Sequence, residues 1–154
     1  MIDDDVRRSI DASVLCWLAT CDADGWPNVS PKEIFCAEDD RTLLIAQIAS
    51  PQSVRNIRTH PQVCVSFIDV FAQKGHKLHG RAAILDRHDP AFEHVARPLL
   101  ALAGDAFPVS AAIRVTVERV ATIVAPSYRL IPGTTEAGQI ESAMATYGVM
   151  ARPD

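Results

Sequence analysis

The residues best equipped for chemistry lie in one run, IAQIASPQSVRNIRTHP, residues 45–61. An apolar, strand-like stretch leads directly into Ser50-Pro51. Serine is a preferred N-cap, and proline at the first helical position gives up an N–H that would have no partner there anyway. The start of a helix presents free N–H groups and the positive end of the dipole, so it can take a phosphate. The Ser53 hydroxyl and the Arg55 guanidinium would strengthen such a site. The plainer alternative is that Ser50 only caps the helix and Arg55 is solvated, and spacing alone leaves both open.

Other constellations carry less. His76 and His79 are spaced i, i+3, which on a strand sends them to opposite faces, poor geometry for holding one metal ion. Asp86, His88 and Asp89 fall before a helical pattern, where capping is the simpler role. No nucleophile elbow, zinc-protease or phosphate-loop motif is present. Cys16, Cys21, Cys36 and Cys64 sit in apolar segments without paired spacing, which favours free thiols over disulfides or a metal site.

Elements that would position such a site follow from the pattern. Asp3, Asp4 and Asp5 precede Val6, Ile10 and Val14, so residues 5–12 form a short helix with its acids at the positive end. VLCWLAT, then the turn Asp22-Ala23-Asp24-Gly25, then WPNVSPKEIFC make a hairpin of two long strands. TLLIAQIA is a continuous apolar run that suits a strand buried on both faces. After a helix over residues 50–59, QVCVSFIDVF and HKLHGRAAIL are strands joined by a turn at Ala72–Gly75. Asp89-Pro90 starts a helix to about Ala103, with Phe92, Val95, Leu99 and Leu102 on one side. AAIRVTVERVATIVA is the last strand, and Thr135–Tyr147 a closing helix. This makes a mainly β fold: six strands, mostly antiparallel, with peripheral helices in one domain spanning residues 1–154 and a tail from residue 127.

At 154 residues with 48% hydrophobic and 22% charged, the chain has enough material for a single core. A net charge of −4 offers no basic face for phosphodiester backbones, so nucleic acid is not an expected partner. No run approaches the ~18 apolar residues of a membrane span, and the acidic start is unlike a secretory signal. A cytoplasmic protein is expected.

The order of elements, the stretch ending NIRTHPQVCVSF and the later HGRAAIL resemble the pyridoxamine 5′-phosphate oxidase-like, FMN-binding split β-barrels, from about Val14 to Leu85. That resemblance implies FMN as cofactor and a homodimer with flavin sites at the interface. It makes Lys32, in DADGWPNVSPKE, a second phosphate contact, and matches Ser50, Ser53, Val54 and Arg55 to the phosphate helix. Where relatives often carry a lysine this chain has Ser53, leaving charge to Arg55 and Lys32. Gln47, Ile48 and Ala49 fall where the family's strand passes the flavin. Lys77, with Gln73 and Lys74, matches a region that approaches the ring from the second protomer. Trp17, Trp26, Tyr128 and Tyr147 could wall the ring, or simply fill core and interface. An FMN-dependent oxidoreductase of an unidentified small molecule is implied. A non-catalytic flavin-binding or stress-associated module, or a relative holding a deazaflavin or haem, are the alternatives. The C-terminal part lacks the Arg- and Trp-rich segment of true pyridoxamine phosphate oxidases.

Overall fold

The computed structural model describes residues 1–152, so the last two residues of the expected tail lie outside the described residues. Helix α1 (Asp4–Ala12) is followed by strands β1 (Cys16–Cys21), β2 (Pro27–Lys32), β3 (Phe35–Ala37) and β4 (Thr42–Gln47). Then come α2 (Pro51–Thr59), β5 (Gln62–Asp69), β6 (Lys74–Asp86), α3 (Phe92–Ala103) and β7 (Ala111–Val124). A single turn, α4 (Ser127–Leu130), and α5 (Glu136–Tyr147) complete the chain. All strand pairs are antiparallel, in the order β2-β1-β5-β6-β7-β4-β3.

Seven strands replace the expected six because WPNVSPKEIFC breaks at Glu33-Ile34. Its first half pairs with β1 and its second with β4, so two residues join the opposite edges of the sheet. The Ala46 N–H still donates to the Ile34 carbonyl at 2.9 Å, which carries the ladder through the bend. The sheet therefore curls on itself, and its two edges are linked covalently rather than left open.

Two cores result. Inside the curl lie Leu18, Leu43, Ile45, Val65, Phe67 and Leu78, closed by Val6 and Ile10 of α1 and Ile57 of α2. Outside it, Leu44 and Ala46 of β4 pack under Phe92, Val95, Ala96 and Leu99 of α3. Strand β4 is thus buried on both faces, as its unbroken apolar run requires. Leu102, expected on the buried side of α3, is exposed; Ala96 and Ala103 lie there instead, completing the i, i+4, i+7 line from Phe92.

Side-chain caps close α1 and α5, whereas α3, expected from Asp89-Pro90, starts at Phe92 without one. Asp3 is the N-cap of α1, accepting from the Asp5 and Val6 N–H groups at 3.1 and 2.9 Å. Thr135 caps α5 through the Gly138 N–H. Gly25 takes the positive φ (89°) that its hairpin turn needs. In the β5–β6 connection it is Gln73, not Gly75, that has positive φ, and Asp69 shapes the turn by accepting from Phe71 and Ala72. Gly75 is required for another reason: a Cβ there would collide with the Phe67 carbonyl oxygen of the neighbouring strand. Among the described residues all four cysteines are free, and no helix is long and apolar enough to cross a membrane.

Candidate functional site

Helix α2 is seated on the barrel by polar contacts. Its inward line is Ser53, Asn56 and Ile57, spaced i, i+3, i+4. Asn56 Nδ2 donates to Thr20 Oγ1 of β1 at 3.0 Å and accepts at Oδ1 from Gln52 Nε2 at 2.7 Å. The Ser53 and Ser30 hydroxyls share a 2.9 Å bond that ties α2 to β2. The inward residues of β2 are accordingly polar (Asn28, Ser30 and Lys32), while Val29 faces out.

This arrangement leaves the first turn of α2 open. Ser50 occupies the N-cap position yet makes no side-chain cap bond, and Pro51 has no N–H to satisfy. The Gln52 N–H and the positive dipole end remain for an outside acceptor. Two cations flank that turn. Lys32 is only 6% exposed; it donates to Gln47 Oε1 at 3.4 Å, and burial lowers its pKa. No carboxylate lies within ion-pairing range of it among the described residues. Arg55 is exposed, its guanidinium held at 2.6 Å by Gln52 Oε1.

The sequence-derived residues fall into two openings either side of the α2 start. Lys32, Ile48, Ala49 and Ser50 line a cleft of about 210 Å³ that Phe107 closes. Gln47, Val54 and Arg55 line a wider groove of about 550 Å³ with Arg58, Asp86 and Ser110, and Ile48 borders both. Ser53 is fully buried and its hydroxyl is taken by Ser30, so its role is to seat α2 on β2. Lys77, expected to approach the ring from a second protomer, lies apart from these openings within its own chain. It stands nine residues along β6 from Asp86, about 30 Å at roughly 3.3 Å per residue.

Lys77 lies instead on the outer sheet face, in line with Ser66, Trp17 and Pro31. The next row is Arg119, His79, Cys64, Ala19 and Val29. One half of this face is therefore basic, and the other is small or apolar with Trp17 and Val29 exposed. Burial, then Arg119 and Lys77, holds the His79 pKa down.

Sequence reasoning missed the seat of α2, namely Thr20, Ser30, Gln52 and Asn56. The i, i+3, i+4 spacing of Ser53, Asn56 and Ile57 carries that signal, since it marks the inward line. It also missed Arg58 and Ser110 in the groove. Arg58 lies 3.7 Å from Asp86 in an exposed pair, and Ser110 Oγ donates to the Gln47 carbonyl.

A curled antiparallel sheet, edge-linked through β2–β3, with a helix starting directly after β4, defines a split β-barrel. The chain belongs to the pyridoxamine 5′-phosphate oxidase family, whose model matches residues 2–124. Among solved structures it is similar to HupZ from Group A Streptococcus, at 26% identity over 78% of this chain and 92% of that one, TM-score 0.68. It has the fold of an FMN-binding protein from Syntrophomonas wolfei, at 14% identity over 78% and 84%, TM-score 0.66. It also has that of HutZ, the haem storage protein from Vibrio cholerae, at 20% identity over 80% and 94%, TM-score 0.63. No curated protein matches the chain.

Proposed function

We propose that the chain holds FMN, with the flavin phosphate at the first turn of α2, and works as an FMN-dependent oxidoreductase on a small molecule. The observation that carries this reading is Lys32, a buried ammonium with no carboxylate partner beside an uncapped helix start. Such a charge is costly to bury alone and is relieved by an anion. Lys32 and Arg55 would supply charge from either side, and the Gln52 N–H at the positive end of the α2 dipole would supply a directed donor. Gln47, Ile48 and Ala49 would border the flavin along the end of β4. FMN would supply electron transfer; the protein's part is to bind, orient and limit water.

The fit covers the phosphate end. It lacks the family's frequent lysine at Ser53, so fewer charges hold the phosphate than in many relatives. A second reading, haem in place of FMN, is favoured by the fold shared with HutZ and by the basic half of the outer face, where Lys77 and Arg119 could meet carboxylates. Homodimer formation is part of the first reading. Its support is the outer face itself, because an exposed antiparallel sheet face normally carries polar residues and this one carries Trp17, Ala19, Val29 and Cys64.

The test is an absorption spectrum of the purified protein, with mass spectrometry of what heat releases. FMN at about one per chain supports the reading. Haem moves the assignment to the second reading, and a colourless protein that takes up neither sinks both.

A further inference from the structure

We propose that Gln52 is a positioning residue: its side-chain amide holds the Arg55 guanidinium back toward the start of α2, so that the guanidinium and the Gln52 N–H serve the same anion. This rests on the phosphate site argued above and deepens it. Two properties of Gln52 converge. Its backbone N–H belongs to the first turn, where no earlier helical carbonyl reaches it. Its side chain is bonded at both ends, with Oε1 accepting from Arg55 Nη2 at 2.6 Å and Nε2 donating to Asn56 Oδ1 at 2.7 Å. The orientation of that amide follows from its partners. A guanidinium only donates, so the atom facing Arg55 is the oxygen, and the nitrogen is left for Asn56. Asn56 is buried and donates in turn to the buried Thr20 Oγ1 of β1 at 3.0 Å. A relay from Arg55 through Gln52 and Asn56 to Thr20 thus ties an exposed guanidinium to the barrel wall.

The chemistry of the partner matters as much as the contact. Among the described residues the other arginines with side-chain partners, Arg8, Arg58 and Arg114, meet the carboxylates of Asp5, Asp86 and Glu38, whereas Arg55 meets a neutral amide. A carboxylate at position 52 would hold the guanidinium equally well, but it would cancel the charge and repel a phosphate beside it. An amide oxygen fixes the side chain and leaves both its charge and the rest of its N–H fork for a ligand. Arg58, one turn further along α2, shows the contrast: its nearest carboxylate oxygen is 3.7 Å away, outside hydrogen-bond range. An arginine ordered before the ligand arrives loses less freedom on binding, which is a gain in affinity without any new contact.

The test is a double-mutant cycle on the full chain, read as the ratio of FMN to riboflavin affinity, which isolates the phosphate. Every substitution at position 52 keeps the backbone N–H, so Gln52→Met removes the amide alone and preserves length. It should lower the ratio about three- to tenfold, the range for releasing one ordered long side chain, and leave riboflavin affinity unchanged. In a chain that already carries Arg55→Ala it should add nothing, within about twofold, because the residue it positions is gone. Gln52→Ala should reproduce the cycle and replaces the methionine variant if that one folds poorly. An unchanged ratio in Gln52→Met, a full further loss on the Arg55→Ala background, or an equal loss of riboflavin binding overturns the proposal. A ratio near one in the unsubstituted chain refutes the phosphate site itself, an outcome distinct from FMN preference that survives substitution of Gln52.

Discussion

Replacing Lys32 by methionine should make the chain more stable and a poorer binder at once. Lys32 is only 6% exposed, and the effective penalty for a buried ion is several kcal/mol. What offsets it in the protein alone is one 3.4 Å hydrogen bond to Gln47 Oε1, worth about 1 kcal/mol. Methionine has similar length and no charge. Leaving Gln47 Oε1 without a donor costs about 1–3 kcal/mol, so the net gain is about 1–3 kcal/mol. At roughly 2–4 °C per kcal/mol for a chain of this size, Tm should rise by about 2–12 °C. The effect should depend on pH with a definite sign. Burial lowers the folded-state pKa of Lys32 below its usual 10.5, so in the window between the two values the unfolded chain binds more protons. Stability of the unsubstituted protein from this group therefore rises as pH climbs through that window, and the advantage of Lys32→Met shrinks toward its upper end. Urea titrations at neutral pH and near pH 10 measure both quantities. A destabilised Lys32→Met, or an advantage that grows with pH, would refute the claim that Lys32 is an unrelieved buried charge.

Other substitutions probe the remaining parts. Arg55→Ala should weaken FMN binding by about 1–3 kcal/mol in a fluorescence titration while leaving the urea midpoint unchanged, since the side chain is exposed. Asn56→Ala strands the Thr20 and Gln52 side chains that it bonds, and should cost about 2–3 kcal/mol of stability in the same urea assay. Gly80→Ala would drive a Cβ into the Thr116 carbonyl at the bulge between β6 and β7, and a loss of about 2 kcal/mol or more in thermal melts is expected. Ala19→Glu sets a charge among Val29, Cys64 and Trp17 on the outer face. If this face is the seam of the proposed homodimer, light scattering should show a dimer for the unsubstituted chain and a monomer for the variant, with an unchanged far-ultraviolet spectrum.

Much of the barrel was legible because single residues announced their elements. The acids before Val6 marked α1, Gly25 marked the first hairpin, and the apolar run of β4 could only be a strand covered on both sides. The split of WPNVSPKEIFC was not legible, because it comes from closing the sheet and no breaker stands at Glu33-Ile34. The site was harder to see for a related reason. Strand β2 reverses the usual rule, with Asn28, Ser30 and Lys32 inward and Val29 outward. Those polar residues serve α2 and its first turn, a tertiary demand that local alternation does not encode. Ser53 illustrates the same point: its residue type suggested a ligand contact, whereas its position on the inward line of α2 commits the hydroxyl to Ser30. The segment carrying Gln47, Ser50 and Arg55 lies beside the two openings.

The most direct test of the central claim compares FMN with riboflavin, which carries the same ring and side chain without the phosphate. If the first turn of α2, Lys32 and Arg55 receive that phosphate, FMN should bind at least about tenfold more tightly, the worth of one charge-assisted hydrogen bond or more. Equal affinity for the two, or binding of neither, would contradict the assignment of this helix start as the cofactor's anchor.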